Sequence, residues 1–244
     1  MYQNLALFGS LPHNGIKQIR IHFLLKLITI ETHLNGIHYN FTLLDQLLSR
    51  LKSFGLKPGF EIMGNPSNFF NDFENKTQVY IWKDLVKQTV IHYIKLFGID
   101  YIKTWNFESW NEPSIEFRHH FYDNIKVTPK GFLNYYDACS QALKEVDQTL
   151  IFGGPGDVWP KNIKNGPFVV DLLTHVINGS NYFTGKRGDT KLDFISVHEK
   201  GNAGQSSHID VLENKGLNDI QNEFPSLKSV PFVENEGDPE VCSF

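Results

Sequence analysis

Six short apolar runs of β-forming residues, each separated from the next by a stretch of helical period, constrain this chain more than any other feature. They fall at residues 19–23, 60–63, 101–107, 150–152, 192–197 and 230–234, roughly 35–45 residues apart. Between them lie amphipathic segments. Leu43, Leu44, Leu47, Leu48 and Leu51 share one helical face, with Gly55 as the stop; Ile81, Leu85, Val86, Val90, Ile94 and Phe97 share another, ending at Gly98. Thr128-Pro129 is a capping hydroxyl followed by a proline whose missing N–H costs nothing, and it opens a helix carrying Phe132, Tyr135, Tyr136 and Leu143. Helices at residues 3–8, 168–177 and 209–224 complete the alternation. A helix between successive strands implies parallel pairing, because a parallel crossover needs a long return. The expected fold class is therefore α/β, a (β/α)8 TIM barrel that is incomplete. Such a barrel has eight strands, and about six are visible, as one partial catalytic domain over residues 1–244.

Charge and composition remove several alternatives. The 23 basic and 27 acidic residues leave a net charge of −4. Nucleic-acid binding draws its affinity from clustered Lys and Arg, so no nucleic-acid partner is expected. No apolar run approaches the ~18–20 residues that span a bilayer, and no charged segment precedes an apolar one at the start, so neither a membrane span nor a signal peptide is expected. Two cysteines cannot staple a fold, and Cys139 reads as an inert thiol on a helix face. Gly153-Gly154-Pro155-Gly156-Asp157 lacks the Lys-Ser/Thr ending of a phosphate loop. It reads as a tight rim turn, with Asp157 a candidate contact behind the site. His119-His120 has no third ligand at helical or strand spacing, so no metal is expected. Aromatic residues make up 14% of the chain, which suits both a sugar-binding wall and a core.

In parallel α/β folds, functional groups collect where the chain leaves the C-terminal ends of the strands. Two such places carry carboxylates among amides and aromatics: Trp105-Asn106-Phe107-Glu108-Ser109-Trp110-Asn111-Glu112-Pro113 after the third strand, and Glu234-Asn235-Glu236-Gly237-Asp238-Pro239 after the sixth. Strands three apart face each other across a barrel mouth. Two opposed carboxylates are what glycoside cleavage requires, one to protonate the leaving oxygen and one to attack the anomeric carbon or activate water. Glu108 and Glu234 remain fallback candidates for either role. His198 either lines the pocket or bonds a core carbonyl.

The same stretch resembles the acid/base segment of the α-L-iduronidase family, clan-A retaining glycosidases. The likeness continues in order through Gly15-Ile16-Lys17-Gln18, Gly131-Phe132-Leu133-Asn134-Tyr135-Tyr136-Asp137-Ala138-Cys139-Ser140, Gly153-Gly154-Pro155-Gly156-Asp157 and Asn181-Tyr182-Phe183-Thr184-Gly185. It implies Glu112 as acid/base, Glu236 as nucleophile, Asn111 on a ring hydroxyl beside the anomeric carbon, and His22 and Lys200 as substrate-binding residues. It also implies an exo-enzyme that removes terminal α-L-iduronate from the glycosaminoglycans dermatan and heparan sulfate, in the lysosome or secreted, with no metal or cofactor. The alternatives are another clan-A exo-glycosidase such as a β-xylosidase, which the cationic Lys200 would distinguish, or an inactive truncated fragment that binds carbohydrate. The family glycine that helps hold the uronate carboxylate aligns with Cys242. Together with two missing strands, that leads to the expectation that residues 1–244 alone are aggregation-prone and silent on iduronides. Asn40-Phe41-Thr42, Asn75-Lys76-Thr77 and Asn178-Gly179-Ser180 fit the N-glycosylation pattern and permit a secretory route.

Overall fold

A computed structural model describes residues 2–115, 121–158, 167–199 and 208–237. Helix α1 (Tyr2–Gly9) leads into strand β1 (Gln18–Ile21), then into an antiparallel hairpin of β2 (Thr29–His33) and β3 (Gly36–Asn40). Helix α2 (Thr42–Ser53) ends at Phe54-Gly55, where Gly55 takes φ +71°, and β4 (Lys57–Glu61) follows. Helix α3 (Lys76–Phe97) is capped by the Asn75 side chain, which accepts from the Thr77 and Gln78 N–H groups. It stops at Gly98, and one turn of helix, α4 (Ile99–Ile102), precedes β5 (Asn106–Glu108). A short hairpin, β6 (Phe121–Tyr122) and β7 (Ile125–Lys126), leads to α5 (Pro129–Val146), whose first turn is closed by the Thr128 hydroxyl on the Gly131 N–H at 3.0 Å. Then come β8 (Ile151–Val158), α6 (Pro167–Asn178), β9 (Ile195–His198), α7 (His208–Glu223) and β10 (Phe232–Glu234).

All six long-range strands pair in parallel in the order β1-β4-β5-β8-β9-β10, the incomplete TIM barrel expected. Register and pleat then sort the side chains. Phe60, Phe107 and Phe152 pair across three strands and turn outward, where Trp105 stacks on Phe60 and Tyr136 of α5 lies 4.7 Å from Phe152. One residue further along, Glu61 and Glu108 point to the concave face. Trp82, Tyr93 and Tyr135 fill the layer between α3, α5 and the sheet, so these aromatics are core rather than sugar platforms. A second apolar cluster, with Val169, Leu173, Ile195, Val197 and Ile220, seats α6 and α7 on β9. Cys139 is buried beneath the Trp82 indole N–H, and burial pushes its thiol up to about 12. That is the inert thiol anticipated.

Three local readings are corrected. Residues 101–102 belong to α4, and the strand begins only at Asn106, because Gly98 restarts a helical turn whose Tyr101 hydroxyl is tied to the Leu56 carbonyl. The Gly153–Asp157 stretch is not a turn but part of β8, with an irregularity in register between Pro155 and Asp157. Its glycines serve close packing: a Cβ on Gly153 would lie 2.3 Å from the Phe194 carbonyl oxygen. Leu43 does not share the buried face of α2. It is 54% exposed, whereas Leu44, Leu47, Leu48 and Leu51 are buried. Accordingly, Leu48→Ala should cost roughly 2–5 kcal/mol in denaturant melts. Leu43→Ala should stay within ~0.5 kcal/mol. Equal losses would contradict this packing of the helix.

Candidate active site

The concave face converges on Arg20, at the centre of β1. Its guanidinium donates to Glu108 Oε2 at 2.6 Å, to Glu236 Oε1 at 2.7 Å and to Asn111 Oδ1 at 3.0 Å, and pairs with Glu61 Oε1 at 2.5 Å. Burial pulls the Arg20 pKa down, but Glu108, Glu61 and Glu236 outweigh it and the net shift is upward. Because β1 and β10 are the two ends of the sheet, the bond from Arg20 to Glu236 shows how strongly the sheet curls.

Glu61 and Glu108 lie deepest and are each held by several partners. Glu61 is fully buried and divided between Arg20 and His22 Nδ1, 2.7 Å from its Oε2. Glu108 accepts from Arg20, from the Ser196 hydroxyl at 2.5 Å and from the Asn235 amide at 2.7 Å. Gly156, at φ +65°, gives Glu108 its room, since a Cβ there would lie 2.9 Å from Oε1. Glu234 accepts the Glu236 backbone N–H at 3.1 Å.

Glu112 and Glu236 stand nearer the opening. With His198 between them, one donor or acceptor atom from each of the three lies within 4.8 Å of the others. His198 Nδ1 is 2.9 Å from Glu112 Oε1 and 3.6 Å from Glu236 Oε2. Its Nε2 faces an Arg20 nitrogen at 3.4 Å. A guanidinium only donates, so Nε2 accepts and the proton belongs on Nδ1, aimed at Glu112. The trio has the spacing of a three-ligand metal site, but the Arg20 charge already occupies Glu236 and would repel a metal cation.

His22 sits 3.4 Å from Glu236 Oε1. Its contacts with Glu236 and then Glu61 raise its pKa to about 9 against burial. Conversely, Glu236 lies well below the ordinary carboxylate range, held there first by His22 and then by His198 and Arg20, with burial opposing. Behind Glu112, Asp157 is buried, and burial pushes its carboxyl up to about 6 against the Ser114 and Val158 donors.

The structure thus brings Glu112, Glu236, Asn111 and His22 to one mouth, while Lys200, Asp238 and Cys242, like His119-His120, lie outside the described residues. His198 belongs to the site and not to the core carbonyls. Sequence reasoning missed Arg20 and Glu61. The available signal was Arg20 and His22 two positions apart in the run 19–23, a spacing that puts both side chains on one face of an extended segment.

Two carboxylates this close at the C-terminal ends of the strands of an incomplete TIM barrel are an arrangement that glycoside cleavage uses. Residues 2–243 match glycosyl hydrolases family 39, and the chain belongs to that family. It is 47% identical to the α-L-iduronidase of Mus musculus and 44% identical to that of Homo sapiens, over 98% of this chain in each case. It spans 37% and 36% of those two relatives. The solved bacterial orthologue of human α-L-iduronidase superposes with a TM-score of 0.88 at 34% identity, over 99% of this chain and 38% of that one. A β-xylosidase from Caulobacter crescentus shares the fold, with a TM-score of 0.72 at 20% identity over 98% of this chain and 50% of that one.

The His22 contacts make a pH prediction. A histidine whose folded pKa lies above the ~6.5 of the unfolded chain stabilises the fold fully below ~6.5. That contribution is lost as pH rises through about 9. The melting-temperature gap between the native protein and His22→Gln should therefore narrow between about pH 6 and about pH 9.5. A gap that stays constant would show that His22 does not titrate against Glu236 and Glu61.

Proposed function

We propose that the protein is a retaining exo-glycosidase that removes terminal α-L-iduronate from glycosaminoglycans such as dermatan and heparan sulfate. The observation that carries this reading is the approach of Glu112 to Glu236. Retaining enzymes hold their carboxyl groups ~5–5.5 Å apart, whereas inverting ones need ~6.5–9.5 Å to admit a water. Oxygens of these two residues lie within 4.8 Å. Glu236, kept ionised by His22, His198 and Arg20, attacks the anomeric carbon while Glu112 gives its proton to the departing oxygen. Glu112 then takes a proton from water, which releases the sugar from the Glu236 ester. Asn111, fixed by Arg20, presents its amide N–H groups to a ring hydroxyl, and His22 and Lys200 supply positive charge for an anionic sugar. The identity to α-L-iduronidases over almost the whole chain supports iduronate over xylose. The β-xylosidase of Geobacillus stearothermophilus is 28% identical over only 48% of the chain. The lysosome or a secreted route follows from the same likeness. No helix among the described residues is long and apolar enough to cross a membrane.

In the active protein, Glu112→Gln should lower turnover of the natural disaccharide by about 10²–10⁴-fold. Activated aryl iduronides, which need little acid help, should still form the intermediate. A fluorinated iduronosyl reagent should label Glu236, and product analysis should show retained configuration. Inverted product, or a label on Glu234, would overturn the assignment.

A further inference from the structure

The turn that carries Glu112 is strained, and β8 holds it. Glu112 takes φ +44°, a region a residue with a side chain avoids unless its surroundings impose it. Two neighbouring residues of β8 impose it here. The Gly156 carbonyl accepts the Glu112 N–H at 2.7 Å, and the Asp157 carboxylate accepts the Ser114 N–H at 3.1 Å and the Ser114 hydroxyl at 2.7 Å. A third donor, the Val158 N–H at 2.9 Å, fixes the carboxylate itself. The Ile115 N–H closes the turn on the Glu112 carbonyl at 3.0 Å. Asp157 can face this turn because the β8–β9 register shifts between Pro155 and Asp157. That irregularity re-aims a side chain a regular strand would have directed elsewhere. Asp157 is 1% exposed, and its carboxylate accepts from Ser114 and Val158, with His198 as a charged neighbour.

We infer that Asp157 is the positioning residue of the Glu112 carboxyl, clamping the Asn111–Ser114 turn through Ser114 so that Glu112 reaches the scissile oxygen. This rests on the acid/base role proposed for Glu112. The clamp acts on one carboxylate and leaves the other, which Arg20 and His22 hold, in place. Its loss has a signature that a general loss of stability lacks. Formation of the glycosyl intermediate from a poor leaving group needs the acid, and breakdown of the intermediate needs the same group as base. An activated aryl leaving group needs neither help in the first step.

The test compares Asp157→Asn with Glu112→Gln in the active protein, on the natural disaccharide and on aryl iduronides of graded leaving-group acidity. For Asp157→Asn, kcat/KM on the disaccharide should fall about 10–100-fold, part of the full acid contribution. On the most activated aryl substrate kcat/KM should hold within about 2-fold, with kcat and KM falling together as intermediate accumulates. Ser114→Ala, which keeps the buried carboxylate and removes one bond to it, should show the same pattern in weaker form. It also decides the matter if Asp157→Asn fails to fold. A uniform loss across leaving groups, or no loss in Ser114→Ala, overturns the inference. If Glu112→Gln itself shows no dependence on the leaving group, the reading beneath it falls instead.

Discussion

Three carboxylates share one guanidinium, and the concave face is arranged around that bargain. Glu61, Glu108 and Glu236 come from the ends of three different strands, yet all reach Arg20 within 2.7 Å. Burying an ion costs several kcal/mol even after relaxation, and two of these acids are almost entirely buried. Only a planar, multi-donor group could serve all of them at once. A lysine offers a point charge on a flexible stem and lacks the fork that meets Glu108, Glu236 and Asn111 in separate directions. Removing Arg20 would leave Glu61, among the described residues, with His22 as its charged partner and would break the shorter of the two links, Arg20–Glu236 and His22–Glu236, that join β1 to the end of β10.

The barrel strands were legible because their apolar runs are short, β-rich and bounded by helical period, and all six appear in the sheet. What escaped was local pairing that does not feed the barrel. The β2–β3 hairpin turns at Leu34-Asn35, with Gly36 already paired to His33, and its two β-prone runs fall within one long crossover, where no strand is expected from the spacing of the barrel strands. The glycines of β8 misled in the opposite direction. Gly153 and Gly154 read as turn residues, yet they sit in a strand because Phe194 and the Ser109 hydroxyl approach where a Cβ would be. Composition alone does not separate a glycine required by dihedral angle from one required by proximity.

The site divides along the same line. The two segments carrying Glu112 and Glu236 stood out because they follow strands, where a parallel barrel opens, and the family resemblance singled out Glu112, Asn111 and Glu236 within them. Arg20 and Glu61 did not stand out, since a charged residue alternating along a strand ordinarily marks a solvent-facing position. Here the alternate face is the barrel interior, made habitable by partners 39 to 216 positions away in the chain, and no local pattern reports such partners.

The interior charges also explain how two chemically identical carboxylates can take unlike parts. Glu236 lies against Arg20, His22 and His198, and its pKa falls accordingly. Among the described residues, Glu112 meets the Nδ1–H of His198 and a backbone turn set by β8. That N–H is 0.7 Å nearer Glu112 than Glu236, so it completes the weaker set of contacts rather than adding to the stronger. On the proposed mechanism the two surroundings suit the two parts: the attacking group is held as an anion by positive charge, while the other carboxyl is placed by its turn and by His198. His198 connects the two sets, since its Nε2 accepts from the guanidinium that holds Glu236 and its Nδ1 therefore keeps the proton it offers to Glu112. The arginine thus acts on both carboxylates, on one by contact and on the other through the tautomer of the histidine between them.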